Sequence, residues 1–449
     1  MELTTKDGTN LSTYYESDPD RISPCNDSTD AKWWRFIPYD LRETINYIIK
    51  MLVLPGLIAA IFIYLMILST GSFGNLTIGI IITVLTYIGS ILISFYARER
   101  FLTRFHAIPP EDLLVPDPPD PFNAIEPKQF SIGFVGDIMR MRKYQLMFSN
   151  DVIDFFKDVD IIVGNLEGIV IDQDCPLTKQ SHPPNIRPQL QALLRGNTTW
   201  LLCLSNNHSI DFGNLTFHKS LNIIQQIPEI DVFGRNDVPH IYVEESEINI
   251  SSASMWSNQK TWDCISEYTQ SKLNSYNSQR RFNILYPHWN YENERYVRRR
   301  IQKSAKLLLT DDSNLKWDLI FGQHTHVRQP IIKVVAEHKD PNNIIVKSKK
   351  IIAFSGGNFA SGVTFLRKKK HIHGIIMKCD IGPLSADTTK LAVGKVEWKK
   401  TFNKIDKTRD VPTKIIKFGE GEQGISRIYI ILIGISIIVL VFLLRIFGI

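Results

Sequence analysis

Five times in the middle of this chain an apolar run of strand length stops at a residue able to bind a metal ion. The run FSIGFVGD ends at Asp137, DIIVGNLEG at Asn165 and Glu167, WLLCLSNNH at Asn207 and His208, FNILYPHW at His288, and WDLIFGQHTH at His324 and His326. Short apolar runs closed off by turn-forming residues read as buried strands. A strand tip holds a side chain more rigidly than a free loop does. Ligands of open α/β sheets bind in the crevice beyond the carboxyl ends of the strands, so these tips are expected to meet in one place. The chain is thereby restricted to folds that end several strands on a common edge.

Each tip alone has an ordinary reading. Asn206-Asn207-His208 serves as a polar turn, Gly136-Asp137 as a turn, Asn165 as a loop cap, His288 as a half-buried histidine beside Trp289, and His324-Thr325-His326 as plain strand residues. A succession of such coincidences at strand ends favours a shared metal site instead. Carboxylate, amide oxygen and imidazole together suit Zn, Mn or Fe, and one bridging ligand lets two such ions sit about 3.5 to 4 Å apart.

Around these runs the pattern is α/β. Helix-like segments at residues 141–159, 188–195 and 293–309 alternate with the strands, and towards the end residues 331–336, 344–354, 374–381 and 391–398 read as consecutive strands. One large domain is expected over residues 129–400. Residues 251–280 are polar and unpatterned, which suggests a surface excursion or lid.

With 449 residues, 44% hydrophobic and 22% charged, the chain can bury a full core. Residues 51–70, 76–97 and 428–444 contain no charged side chain, and a span needs roughly 17 to 25 apolar residues, so the chain is expected to cross a membrane. The organisation is then a polar tail (1–44), a transmembrane hairpin (45–97), a Pro-rich linker (98–128), the central domain, a second linker (401–426) and a final transmembrane helix (427–449). The turn at residues 71–75 is uncharged, whereas Lys32, Arg35, Arg42 and Lys50 precede the hairpin and Arg98, Arg100 and Arg104 follow it. The positive-inside rule therefore places the large domain in the cytoplasm. Cys25, Cys175, Cys203, Cys264 and Cys379 are scattered and imply no disulfide framework. The glycosylation-type triplets at Asn26, Asn75, Asn197, Asn214 and Asn249 read as chance in a chain this rich in Asn, Ser and Thr.

The segments GDIM, GNLEG, SNNHSIDFG, HWNYE, GQHTHVRQP and FSGGNF, in this order, resemble the CapA-type capsule-synthesis (poly-γ-glutamate synthesis) proteins, a branch of the calcineurin-like metallophosphatases. The likeness covers about residues 130–380 and leaves out the membrane hairpin and linker. It implies a two-sheet α/β/β/α sandwich and a two-metal site with Asp137, Glu167, Asn207, His288, His324 and His326 as ligands and Asn165 near the metals. His208 would be the catalytic acid. The chain departs from the pattern at Met139, where the wider superfamily has a His, and at Asn165, where an Asp usually bridges; Glu167 stands where it can compensate. Gln323 occupies the place of a frequent further His, and FSGGNF carries a Gly where Leu is common.

In such a hydrolase two ions make water nucleophilic near neutral pH and neutralise charge on the attacked group. Proton donation to the leaving oxygen typically adds about 10² to 10⁴ in rate, the role open to His208. Asp211 either orients that imidazole or caps the helix that starts near Gly213. Arg328 either contacts an anionic substrate or is a plain surface residue. The function expected is a membrane-anchored, two-metal hydrolase of the phosphoester type, acting on an anionic cell-envelope or capsule-like polymer or its precursor. The alternatives are a non-catalytic metal-containing subunit of polyanion synthesis or export, working with membrane partners, and a metal-dependent amide hydrolase. The net charge of +6 and the basic runs 298–300, 349–350 and 367–370 suit a polyanion or the anionic inner leaflet, or are simply solvated faces. No nucleic-acid module is recognisable, and the basic runs lack interleaved aromatics.

Overall fold

The computed structural model describes residues 122–419, apart from 142, 172–178, 184–185, 197, 244–246, 260, 277–281, 296, 311–316, 363–368 and 407. The polar tail, the three apolar stretches, the Pro-rich linker up to residue 121, Cys25 and Cys175 lie outside the described residues. Among the described residues no helix is long and apolar enough to cross a membrane.

In chain order the elements are β1 (Phe130–Ile138), β2 (Gln145–Phe148), α1 (Asn150–Phe155), β3 (Ile161–Leu166), the short β4 (Ile169–Val170) and β5 (Ser181–His182), α2 (Ile186–Gln191), β6 (Thr199–Cys203), α3 (Asn214–Ile224), β7 (Ile230–Phe233) and β8 (His240–Val243). There follow β9 (Ile248–Ser251), α4 (Gln270–Tyr276), β10 (Phe282–Leu285), α5 (Arg299–Thr310), β11 (Leu319–Phe321), β12 (Ile331–Lys339), β13 (Ile345–Ala353), β14 (Asn358–Ala360), β15 (His373–Leu384), β16 (Asp387–Asp406) and β17 (Thr413–Phe418). A nine-stranded sheet runs β2-β17-β16-β15-β1-β3-β6-β7, with β14 added beside β1. A six-stranded sheet runs β12-β13-β11-β10-β9-β8.

The apolar runs form strands buried on both faces because two layers claim them. Between the sheets, Phe134, Val163, Leu201 and Phe233 of the first meet Ile250, Ile284, Tyr286 and Phe321 of the second. The Phe134 and Phe321 rings stack at 5.2 Å. On the outer face of the first sheet, Val152, Leu190, Phe217 and Leu221 of α1 to α3 pack on Ile162, Trp200 and Leu202. On the outer face of the second, Leu273, Ile301, Ala305 and Leu309 of α4 and α5 pack on Leu285, Ile320 and Ile352. The layers therefore run helix, sheet, sheet, helix.

Several local expectations need correction. Residues 141–159 read as one helix, but Gln145–Phe148 forms β2, paired in parallel with β17 from Gln145↔Thr413 to Phe148↔Ile416, and only Asn150–Phe155 is helical. The expected helix at 188–195 starts earlier, at Ile186, so Pro188 falls in the first turn, where its missing N–H breaks no helical bond. That at 293–309 starts late, at Arg299, and Asn293, with a φ of 66°, lies outside the helical region. The sheet also continues past residue 400: β16 reaches Asp406 and β17 follows, so residues 401–406 and 413–418 are sheet rather than linker. Lys350, in an expected basic face, is buried and donates to the Trp317 carbonyl at 2.7 Å beside Asp318 at 2.9 Å.

The largest correction concerns residues 251–280. Ala253, Met255, Trp256, Ile265 and Tyr268 are buried, and Ser254 bridges both Glu267 and His288, so much of this segment packs across the strand tips. Its serines misled because their hydroxyls are satisfied inside: Ser252 donates to the Tyr286 carbonyl at 2.7 Å, Ser254 to that of Trp256 at 2.6 Å and Ser266 to that of Arg235 at 3.0 Å. A buried hydroxyl with such a partner carries little penalty.

Candidate metal centre

The topology brings the expected tips together. β1, β3 and β6 run parallel with Asp137 opposite Asn165 and Asn165 opposite Cys203, so the first sheet delivers Asp137, Asn165, Glu167 and the Asn206-Asn207-His208 turn at one edge. In the second sheet β10 and β11 are also parallel, and a bridge between His288 and Gln323 extends the pairing to the tips that carry His288, His324 and His326. The β1 tip can approach the Ser355–Asn358 turn because Gly136 has no side chain; a Cβ there would strike the Gly357 carbonyl. Gly322 serves likewise beside Trp289 and Phe354.

Asp137, Glu167 and His288 offer ligand atoms that all lie within 4.8 Å of one another. All three are fully buried. His326 Nδ1 lies 3.0 Å from Asp137 Oδ2, and the backbone N–H of His324 donates to Asp137 Oδ1 at 3.3 Å. The His324 ring sits 4.4 Å from that of His288 and 5.7 Å from Trp256. His324 and His326 both have positive φ, 89° and 56°, a backbone state that costs side-chain-bearing residues about 1–3 kcal/mol each. The surrounding packing holds both rings in a turn they do not favour on their own.

Asn165 plays a part that its amide settles. Its Oδ1 accepts from Asn206 Nδ2 at 3.1 Å, so its NH₂ group donates to Asp137 Oδ1 at 2.8 Å and to Glu167 Oε2 at 2.5 Å. It holds the two carboxylates together through nitrogen and turns its oxygen away from them. Asn207 is oriented the other way, with Oδ1 2.9 Å from His288 Nε2.

Electrostatics divides the group. Burial pushes Glu167 up to about 7, with the Asp137 charge adding to the rise. Burial also opposes ionisation of Asp137, but the hydrogen bond and charge of His326, with help from His288 and Asn165, hold its carboxyl below the ordinary value. Burial drives His288 down to about 3 and His324 well below the usual imidazole value, so both are neutral at pH 7, the form that binds metal. His326 rises to about 10: burial works against its charge, and Asp137 overcomes burial.

His208 and Asp211 form a separate pair at the mouth. His208 Nδ1 lies 2.6 Å from Asp211 Oδ2. A contact that short with a carboxylate fixes the proton on Nδ1 and leaves Nε2 for another partner. Asp211 thus orients the imidazole; the cap residue of α3 is Gly213, and no side chain caps that helix. Burial disfavours the charged imidazole, yet the Asp211 hydrogen bond and the Glu167 charge raise its pKa. Arg328 is half-buried, its backbone bridged to Gly356 beside the site.

Sequence reading passed over five contributors. Asn206 organises Asn165 and also accepts from the Gly168 and His208 N–H groups at 3.1 and 3.2 Å. Asn258 and Trp256 arrive from the segment taken for a surface excursion. Glu292 lies 4.0 Å from His326 Nε2, and Asn358 is paired in register with Asp137. Glu292 and Asn358 stood inside HWNYE and FSGGNF, where their position in a motif was the available signal; Asn258 carried none.

The residues present fit a metal ion. Both ring nitrogens of His324 and Oε1 of Glu167 are buried with no hydrogen-bond partner, beside the cluster of carboxylate and imidazole atoms. Leaving buried polar atoms unpartnered costs about 1–3 kcal/mol each, which coordination of a cation would offset.

A family model described as bacterial capsule synthesis protein PGA_cap matches residues 131–363. No curated protein matches. Among solved structures, a hypothetical protein from Thermus thermophilus is similar at 10% identity and a TM-score of 0.33, covering 60% of this chain and 98% of that one. A novel phosphatase from Mycoplasma pneumoniae is similar at 13% identity and a TM-score of 0.31, covering 61% of this chain and 94% of that one.

Proposed function

The chain belongs to the bacterial capsule synthesis protein family PGA_cap, and from that premise we propose that its central domain is a metal-dependent hydrolase of the phosphoester type, tied to a membrane and acting on an anionic cell-envelope polymer or its precursor. The observation that carries this reading is the buried cluster of Asp137, Glu167 and His288 with the unpartnered His324 imidazole beside it. Divalent ions held there by these residues, with Asn207 and with His326 once it releases its proton on metal binding, would supply Lewis acidity and neutralise charge on a phosphoryl group.

The chain's own side chains do the rest. Asp211 keeps the His208 proton on Nδ1 in the neutral ring, and when the imidazole is charged, Nε2–H is free to protonate a departing oxygen. Its raised pKa supports that role near neutral pH. Trp256, packed on His324 and bonded through its indole N–H to the Asn290 carbonyl at 2.6 Å, screens the inner cluster from water. Arg328 is proposed to meet the anionic substrate at the rim.

One observation favours a second reading. Because Asn165 donates to both carboxylates, it occupies oxygen lone pairs that two ions would otherwise share. That supports a site with a single ion, as suits a non-catalytic subunit that binds or guides a polyanion. The experiment is to strip full-length protein of metal in detergent, reload it with Mn or Zn, and measure both metal content and hydrolysis of an aryl phosphate monoester and diester. The hydrolase reading expects close to two ions and metal-dependent turnover. One tightly bound ion without turnover selects the second reading, and no bound metal removes both.

A further inference from the structure

Asn258 is an exposed residue on the lip of the site, carried there by the segment that crosses the strand tips. It touches both halves of the centre. Its backbone N–H donates to the Asn207 carbonyl at 3.2 Å, and its side-chain Oδ1 accepts from Asn207 Nδ2 at 3.2 Å. Its Nδ2 donates to Asp211 Oδ1 at 2.9 Å and lies 3.1 Å from His208 Nδ1.

Each contact removes an ambiguity. The two ends of an Asn side chain are nearly the same shape, so Asn207 could turn either its oxygen or its NH₂ inward. With the NH₂ taken by Asn258, the oxygen must face His288 Nε2 and the metal-binding cluster. Asp211 has one oxygen for His208 and one for Asn258, which stops the carboxylate from rotating away from the imidazole. Only a primary amide of this length supplies an acceptor for Asn207 and a donor for Asp211 at once. Aspartate would keep the acceptor but set a carboxylate against Asp211. Alanine would lose both.

We infer that Asn258 is a positioning residue that aims the Asn207 oxygen at the metal cluster with one end of its amide and locks the His208–Asp211 pair with the other. The inference rests on the hydrolase reading above, yet its metal-side half can be read without turnover. Substitution at an exposed lip leaves the core intact, and thermal melts of full-length Asn258→Ala and Asn258→Asp in detergent check this.

Residues one step behind a metal site typically change affinity or activity by about 10- to 100-fold, so Asn258→Ala is expected to weaken Mn or Zn binding about 10-fold, measured by competition with a chelating dye, and to slow turnover. Asn258→Asp is expected to hold metal within about threefold of the parent but to lose about 10-fold in kcat on a phosphoester with a poor leaving group. That loss should vanish on an aryl ester with a good one. In a His208→Ala background, Asn258→Asp should add nothing further, because the group it positions is gone.

Equal loss on all substrates and in the His208→Ala background would make Asn258 a merely structural residue, and unchanged metal affinity in Asn258→Ala would overturn its hold on Asn207. A parent that binds metal but hydrolyses no phosphoester removes the hydrolase reading and the acid-side half, while the affinity measurement still decides the metal-side half. A parent that binds no metal overturns the whole inference.

Discussion

His208 is the neighbour of Asn207 in the chain, yet in the proposed reaction the two would serve opposite ends. If Asn207 and His326 hold metal while His208 delivers a proton, His208→Ala should keep its metal content and lose about 10² to 10⁴ in rate, with the loss shrinking on a good leaving group. His326→Ala should lose both metal and rate. Metal analysis and rates on a series of phosphoesters check this, and full activity in His208→Ala would reduce the histidine to a turn residue. The acid–base character of these residues also sets the stability of the metal-free chain. Burial keeps His182 at about 4 and His288 at about 3, and His324 well below normal. An unfolded chain protonates all three below about pH 6.5, so stability falls on acidification. His326, at about 10, and His208, also raised, keep protons that the unfolded chain has released, so stability falls again as pH climbs from about 6.5 towards 10. Glu167, raised to about 7, contributes stability that is lost between about pH 4.5 and 7, which softens the acid loss without reversing it. Melting temperatures in a chelator should therefore peak near about pH 6.5, and a steady rise to alkaline pH would contradict these assignments.

At the scale of elements, strand tips were legible because a strand buried on both faces leaves an unbroken apolar run, and a polar residue at its end stands out. Asp137, Asn165, Asn207, His288 and the His324/His326 pair were all visible for that reason. The choice between two roles for Asp211 was not, since one carboxylate can cap a helix or hold a ring, and only the 2.6 Å contact with His208 decides. The same limit hid β2 and β17. Each is a short strand, and the pairing of β2 with β17 joins segments far apart in sequence, so local pattern favoured helix for one and linker for the other. Ile416 on β17 is fully buried, and Ile416→Ala should cost about 2–5 kcal/mol, measurable by denaturation. Ending the chain at residue 400 removes β17 whole and is expected to leave no cooperative melt, against a total stability of about 5–15 kcal/mol for ordinary domains. A chain cut at 400 that melts like one ending at 419 would show β17 to be dispensable.

For the described domain, the layered core explains how the strand tips of two sheets can carry a site at one edge while helices close the outer faces. How that domain sits relative to a membrane is argued from charge alone, and from the positive-inside pattern we propose a cytoplasmic placement. A cysteine introduced at Leu215, which is 71% exposed, gives a test in a chain with Cys25 and Cys175 replaced by serine, because Cys203, Cys264 and Cys379 are buried. An impermeant thiol reagent should leave it unlabelled in intact cells and label it after lysis; labelling before lysis would reverse the orientation. The place of β17 between β2 and β16 also has a consequence in time. Ser149, just past the end of β2, bonds to Ile416, which lies 267 residues further along the chain. At a synthesis rate of about 5–20 residues per second, β2 waits roughly 13 to 50 s on the ribosome before its partner exists. During that interval the first sheet has an open edge, which leaves the nascent chain exposed to mispairing until β17 emerges.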